Sequence, residues 1–259
     1  MRNLLYLVSV AFLMSSCSKE GFWSSPATDA SFGSGGKGGS MARFAISGDM
    51  LYTVSNSTLK IFNIEDTANP KYSSERDLQI GFDIETIFPM DTLLFIGSRS
   101  GMYVYDITAA RFPQFISQVS HLRSCDPVVA QGNYAYVTLN TNFSSCGSVA
   151  NNVLDIYDIT DLSNPVLKKT VQLNGPTGLG VDGDKLFVCD RGLKVFNISD
   201  PLNIRQIDDL ADIEEVDVRA AYDVIPLDGL LILVAQEGLF QFDYTGDRLR
   251  FLSKIEIKQ

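Results

Sequence analysis

Residues 101–107 read Gly-Met-Tyr-Val-Tyr-Asp-Ile, and this short apolar, aromatic and acidic pattern recurs along the chain. The other copies also place an Asn or Asp after an aromatic residue: Lys60-Ile61-Phe62-Asn63-Ile64, Asp155-Ile156-Tyr157-Asp158-Ile159, Lys194-Val195-Phe196-Asn197-Ile198 and Gln241-Phe242-Asp243-Tyr244. The Asn or Asp stands at positions 63, 106, 158, 197 and 243, so successive copies lie 39–52 residues apart. A strand-rich repeat of this length is typical of a β-propeller.

A second apolar run precedes each copy, and a glycine-containing turn precedes most of these runs. The runs are Leu51-Tyr52-Thr53-Val54, Leu94-Phe95-Ile96, Ala135-Tyr136-Val137, Leu186-Phe187-Val188 and Leu231-Ile232-Leu233. In the second unit the pattern predicts strands near 82–89, 93–98, 101–107 and 113–119, and the third unit has a loop inserted around 140–151. We therefore predict an all-β fold, a five-bladed β-propeller of four-stranded blades over residues 41–259.

The N-terminal residues predict export and a lipid anchor. Arg2 is followed by an uncharged stretch that is too short to span a membrane, so residues 1–16 are typical of a signal peptide. Met14-Ser15-Ser16-Cys17 resembles a bacterial lipobox, which predicts lipidation of Cys17; the alternative is an ordinary signal that is cleaved nearby. Residues 17–40 are rich in Ser and Gly and predict a tether. The expected location is the outer membrane, on its periplasmic side or at the cell surface.

Composition and charge exclude several functions. The chain has 259 residues, 45% of them hydrophobic, which is ordinary for a globular protein. Its formal net charge of −10 argues against nucleic acid as a partner, and against an anionic membrane surface except through a lipid anchor. The single His argues against His-rich metal sites and Ser-His-Asp chemistry. We expect a monomeric domain.

The repeat resembles that of the LVIVD-repeat β-propeller lipoproteins of the bacterial envelope. The resemblance rests on Asp106-Ile107-Thr108, on Asp158-Ile159-Thr160-Asp161 through Asn164-Pro165, and on Asn197-Ile198-Ser199-Asp200-Pro201. The copy ending Asp243-Tyr244-Thr245-Gly246 departs from the pattern. The resemblance implies a propeller and an envelope location, and it implies no activity.

The cysteines predict one cross-link. Cys125 precedes the first strand of the third unit and Cys146 lies in its inserted loop, and in a propeller these two connections open on the same side. A Cys125–Cys146 disulfide is therefore expected in the oxidising envelope, with two free thiols as the alternative. Cys189 lies in a strand beside Phe187 and is expected to be a buried apolar residue.

Acidic residues stand where innermost strands begin, at the expected mouth of the central channel. They are Asp83, Glu85, Asp126 and Asp223. Crowded carboxylates either raise a pKa or attract a cation, so this group is a candidate site for Ca²⁺ or a polar ligand; the alternative is a hydrated mouth without a ligand. No other metal or cofactor is expected.

A second acidic cluster follows the fourth unit. Its members are Asp208, Asp209, Asp212, Glu214, Glu215 and Asp217, which we interpret as a solvated loop because the spacing of a calcium-binding loop is missing. His121 has no ligand-like neighbours in the sequence and is expected to be structural.

Two functions are compatible with these features. The first is a non-catalytic binding or scaffold module on the outer membrane, with an envelope protein or a glycan as partner. The second is a glycan-active enzyme that uses Asp83, Asp126 and Asp223 as paired carboxylates. No catalytic residue is assigned, and the enzyme interpretation rests on analogy between folds.

Overall fold

The computed structural model describes residues 38–120, 127–142, 152–210, 218, 220–246 and 248–257. These residues form 21 strands, one short 3₁₀ turn and connecting loops. The strands make five separate antiparallel sheets, and within each sheet the strands follow one another in chain order. The predicted all-β, five-bladed β-propeller is therefore confirmed.

The first two blades show one irregular and one regular sheet. Blade one contains β1 Phe44–Ser47, β2 Met50–Val54, β3 Thr58–Asn63, β4 Lys71–Tyr72 and β5 Leu78–Gln79. Its outer strand is divided in two, since β4 and β5 both pair with β3 and the turn Ser74–Arg76 lies between them. Blade two contains β6 Ile84–Met90, β7 Leu93–Ser98, β8 Gly101–Asp106 and β9 Gln114–Ser120, which confirms the strands predicted for the second unit to within two residues.

The remaining blades are four-stranded. Blade three contains β10 Val128–Gln131, β11 Tyr134–Leu139, β12 Val153–Asp158 and β13 Val166–Gln172. Blade four contains β14 Pro176–Asp182, β15 Lys185–Asp190, β16 Leu193–Asn197 and β17 Arg205–Asp209. Blade five contains β18 Ala221–Leu227, β19 Leu230–Ala235, β20 Gly238–Asp243 and β21 Arg250–Glu256.

The Asn or Asp of the repeat turns the chain out of the third strand of each blade. Its side-chain oxygen accepts a hydrogen bond from the backbone N–H two residues later, as in Thr108 N to Asp106 Oδ1 at 2.6 Å. The same bond forms at Asn63, Asp158, Asn197 and Asp243. This local turn is one that Asn and Asp side chains are suited to make. The fifth copy therefore keeps the turn although its sequence departs from the pattern.

The residue after the Asn or Asp ties that turn to the hairpin between the first two strands. Ile107 N donates to Thr92 O at 2.8 Å, and Ile159 N donates to Asn133 O at the same distance. The corresponding residues Ile64, Ile198 and Tyr244 make the same bond in the other blades. The side chains of Ile107, Ile159, Ile198 and Tyr244 are also buried, so in four of the five blades the signature fixes both a turn and a core contact.

Replacing Asp106 by alanine is expected to lower stability, whereas asparagine should preserve it. The turn needs a side-chain oxygen, which Asn63 and Asn197 supply without charge in two other blades. The hydrogen bonds from Thr108 lower the pKa of Asp106, so its stabilising effect is present at neutral pH and is lost as the pH falls through that lowered pKa. Urea denaturation of the Asp106→Ala and Asp106→Asn variants at several pH values tests this, and equal losses in both variants would contradict it.

Four apolar clusters join successive blades. They lie between blades one and two, two and three, three and four, and four and five. The central strands of blades two to four are accordingly buried on both faces, whereas those of blades one and five alternate. Among the described residues no fifth cluster joins blade five to blade one, and Phe44, Ile46 and Ile255 are 56%, 38% and 60% exposed. We call this junction the seam.

Candidate functional site

The innermost strands of the five blades are β1, β6, β10, β14 and β18, and consecutive ones contact each other around the channel. The predicted mouth residues lie at or near the start of these strands: Asp83 precedes β6, Glu85 lies in β6, and Asp223 lies in β18. Asp126 lies outside the described residues. The structure therefore places three of the four predicted residues, and their contacts show what each one does.

Glu85 is engaged by a basic side chain. Arg99 Nε donates to Glu85 Oε1 at 2.9 Å, and both side chains are mostly buried. The Arg99 backbone N–H also donates to Asp83 O at 3.1 Å. The hydrogen bond to Glu85 raises the pKa of Arg99. The charge of Glu85 is thus compensated within blade two.

Asp223 is engaged by the residues that precede β1. Ser40 Oγ donates to Asp223 Oδ1 at 3.0 Å, and Met41 N donates to Asp223 Oδ2 at 3.0 Å. Within blade five, Val224 N donates to Asp223 Oδ1 at 2.9 Å. Both carboxylate oxygens therefore already accept hydrogen bonds from the protein.

Residues 38–42, which we call the clasp, lie against the inner strands. Ser40 is only 1% exposed, and its Oγ accepts a hydrogen bond from Leu179 N of blade four at 2.7 Å. Ala42 O accepts from Ile87 N of blade two at 3.0 Å. The sequence assigned residues 38–40 to the tether, and the structure places them in the propeller.

The clasp begins inside the channel. Gly38 helps to line a cavity of about 150 Å³ whose walls come from the inner strands of blades two to five. These walls include Phe88, Val129, Gly180 and Pro226. The first described residues therefore occupy the channel, and the chain then passes Asp223 before it enters β1.

A second polar centre lies beside the channel between blades three and four. The Asp190 side chain is fully buried, accepts hydrogen bonds from Asn174 N at 2.9 Å and Gly175 N at 2.7 Å, and pairs with Lys194 Nζ at 3.1 Å. Asn152 bridges Asn142 and the Asn174 carbonyl at the base of the inserted loop. Sequence reasoning missed this centre. The only signal was an acidic residue at the end of an otherwise apolar strand.

The other sequence-predicted residues divide between described and undescribed segments. Cys189 is buried, as predicted, and burial raises the pKa of its thiol. Asp208 accepts a hydrogen bond from Leu249 N, and Asp209 lies 3.8 Å from Lys194 Nζ. The other predicted residues lie outside the described residues: Cys17, Cys125, His121, Cys146, Asp212, Glu214, Glu215 and Asp217.

Within the described ranges, no group of three or more His, Cys, Asp or Glu side chains is arranged to hold a metal ion. The predicted cation site at the channel mouth stays a prediction, because Asp126 is not among these residues. The part of the chain that the structure describes contains no helix long and apolar enough to cross a membrane.

Burial sets the pH dependence of the Asp223 contacts. Desolvation raises the pKa of Asp223 to about 6, although hydrogen bonds from Met41, Val224 and Ser40 oppose the rise. A raised pKa means that the native state binds the proton more tightly than the unfolded chain. The protonated Asp223 carboxyl therefore stabilises the native state fully at pH values below its pKa in the unfolded chain, which is about 4. This stabilisation is lost as the pH rises through about 6, the pKa of Asp223 in the native state.

An Asp223→Asn variant isolates this effect because asparagine does not titrate. The free energy of unfolding of the wild type minus that of the variant should increase by about 2–3 kcal/mol between pH 7 and pH 4. Urea denaturation at both pH values measures it. A difference that does not change with pH would show that Asp223 titrates normally.

These features define a five-bladed β-propeller whose channel is occupied by its own N-terminal segment. The chain carries LVIVD repeats, and the LVIVD repeat matches residues 123–143 and 148–172, most of blade three. No curated protein matches the sequence.

Solved structures share the fold at low identity. A functionally unknown protein from Desulfotomaculum acetoxidans is 11% identical with a TM-score of 0.62, over 84% of this chain and 68% of that one. A protein from Lactobacillus plantarum is 16% identical with a TM-score of 0.61, over 80% and 67% of the two chains. AztD from Citrobacter koseri is 12% identical with a TM-score of 0.56, over 79% and 58%. At these identities the likeness supports the propeller fold alone.

Proposed function

We propose that the chain is a non-catalytic binding or scaffold module, anchored to the outer membrane through a lipid on Cys17. The observation that carries the binding role is the pair of apolar blade faces at the seam. Phe44, Ile46 and Tyr72 are exposed on blade one, and Ile255 is exposed on blade five. Several exposed apolar side chains on the strands that flank one junction suggest a surface for protein interaction.

The contacts at the channel mouth support the same proposal. Arg99 pairs with Glu85, and Ser40 and Met41 donate hydrogen bonds to Asp223, so both carboxylates already have partners within the protein. The exposed blade faces and the loops are then the surfaces left for a partner, for which we propose an envelope protein or a glycan.

Site-specific photo-crosslinking in intact cells tests the binding role. A photoreactive residue at position 46 or 255 should give the same discrete adduct, and Ile46→Lys should abolish adduct formation from position 255. Leu167 is the matched control position, because it is 47% exposed on an outer strand. Equal crosslinking from position 167, or none from positions 46 and 255, would contradict the proposal.

The anchor and the disulfide have their own tests. Labelling with a clickable fatty acid should modify the wild type and should fail with Cys17→Ser. Thiol titration of the unfolded mature protein should find one free thiol if Cys125 and Cys146 are bridged, and three if they are not.

A glycan-active enzyme is the second candidate, and the raised pKa of Asp223 is the observation that favours it. A carboxyl group whose pKa is raised toward neutral pH, here to about 6, suits a general acid in glycoside hydrolysis. Release of reducing sugar from envelope glycans that is lost in Asp223→Asn would support this role. If the wild type releases no reducing sugar, the role of a glycan-active enzyme is contradicted.

A further inference from the structure

We propose that the channel mouth is a binding site for a short Gly-Ser peptide, and that the clasp is its ligand in cis, holding blade five to blade one. The channel mouth is a different place from the exposed blade faces. Binding of a peptide there does not depend on whether those faces bind a partner.

No strand pairing joins blade five to blade one among the described residues, so other contacts must close the propeller. Each of the five sheets is built from one continuous stretch of chain, so the first and last blades share no strand. The four apolar clusters join the blades in sequence, and within the described ranges none joins blade five to blade one. Among the described residues, the seam therefore lacks the apolar packing that holds the other four junctions.

The clasp supplies contacts across this seam. It leads directly into β1 of blade one and hydrogen-bonds to blade five through Asp223. It also bonds to blade four through Leu179 N and to blade two through Ile87 N. Five residues thus connect the first blade to three others.

The site selects for small residues with hydrogen-bonding capacity. Ser40 Oγ both donates to Asp223 and accepts from Leu179 N, so its hydroxyl is fully used in a space that leaves it 1% exposed. A Cβ on Gly39 would lie 2.7 Å from Cγ of Asp223, which is closer than van der Waals contact permits. Ala42 N donates to Gly39 O at 3.1 Å, so the peptide is bound as a turn.

The recognised ligand is therefore a Gly-Ser-Xaa turn. Its Ser hydroxyl and the following backbone N–H each bond one oxygen of Asp223. Apart from the Ser hydroxyl, these contacts use backbone groups, and Met41 is 44% exposed, so the third residue of the turn is free to vary. A segment with this pattern that is supplied by another molecule would compete with the clasp for the same contacts.

Hydrogen exchange on the intact chain gives the first test. Ser40→Ala removes the acceptor for Leu179 N, and exchange at Leu179 should become at least about 10-fold faster. Exchange at Ile87 should also accelerate, although Ser40 does not touch that amide, because the whole clasp would be released. Ser55→Ala is the matched control, since Ser55 is exposed and makes one long 3.4 Å bond. Acceleration at Leu179 with no change at Ile87 would overturn release of the clasp as a unit.

Addition of a peptide in trans gives the second test. The clasp-weakened variant Gly39→Ala should bind a synthetic peptide of residues 36–43 and recover slow exchange at Leu179 and Ile87. The same peptide with alanine in place of serine should not restore it, and neither peptide should act on the double variant Gly39→Ala, Asp223→Asn. If the wild-type peptide fails to restore protection to Gly39→Ala, or acts equally without Asp223, the peptide site is wrong. The crosslinking result at positions 46 and 255 is unaffected by either outcome.

Discussion

Replacing Asp190 by alanine is expected to destabilise the propeller by about 3–5 kcal/mol, because removal of one member of a buried ion pair leaves its partners uncompensated. Asp190 is fully buried at the end of β15, and its oxygens accept the backbone N–H groups of Asn174 and Gly175. Lys194 Nζ lies 3.1 Å from the same carboxylate, and the Lys194 side chain is only 14% exposed. The variant would leave the Lys194 ammonium group with only the Asp190 backbone carbonyl at 3.0 Å and the more distant Asp209 carboxylate at 3.8 Å. It would also leave the amides of Asn174 and Gly175 without their acceptor.

Chemical denaturation measures the loss, and two other variants show its cause. Asp184→Ala removes an exposed carboxylate that lies 3.3 Å from Lys185 Nζ, and exposed carboxylates in such pairs contribute little, so its effect should be below about 1 kcal/mol. The double variant Asp190→Ala, Lys194→Met should recover part of the loss, since it removes the ammonium group whose nearest carboxylate partner is lost. Equal losses for Asp190→Ala and Asp184→Ala would show that the buried network does not stabilise the blade.

The blade pattern could be predicted because the residues of the repeat make hydrogen bonds within their own blade. Asp106 makes its turn with Thr108, two residues away, and Ile107 bonds the hairpin of its own blade. Such short-range interactions require particular residues at a fixed spacing, which is visible in the sequence. The fifth copy is harder to recognise, because Asp243 makes the same turn although the residues around it differ from the pattern.

The clasp could not be predicted because its composition has two opposite meanings. Gly and Ser are the residues of a flexible tether, and they are also the residues that fit a crowded channel. The bonding partner decides between a tether and a packed segment. Asp223, the partner of Ser40, lies 183 residues away in the chain, so the sequence does not show the contact. The sequence likewise showed Glu85 as one of several acids at the mouth, whereas the fold brings Arg99 to it from the turn that follows β7.

The charge pattern was therefore informative about position but not about role. Asp83, Glu85 and Asp223 do stand at or near the starts of inner strands, as their place in the repeat predicted. The pattern did not show the groups that bond Glu85 and Asp223, which come from the turn after β7 in one case and from the clasp in the other. At the channel mouth, Glu85 and Asp223 therefore bind groups of this same protein.

The second large effect is expected at Gly178, where β14 of blade four and β18 of blade five are in contact. A Cβ at this position would lie 2.6 Å from Cα of Asp223 and 2.7 Å from the Tyr222 carbonyl oxygen. Both neighbours are backbone atoms, so no side-chain rotation relieves the overlap. Overpacking against fixed backbone predicts that Gly178→Ala costs about 3 kcal/mol or more.

The Gly178 variant also tests whether the clasp depends on the position of Asp223. Gly246→Ala is the control, because a Cβ there meets only the Arg248 carbonyl oxygen, at 3.9 Å. Gly178→Ala should lower the midpoint of urea unfolding and also speed exchange at Ile87, which bonds the far end of the clasp on blade two. Since Ile87 is not in the altered strands, its acceleration would show that displacement of Asp223 releases the clasp. A destabilised variant that keeps normal protection at Ile87 would instead show that blades four and five pack independently of it.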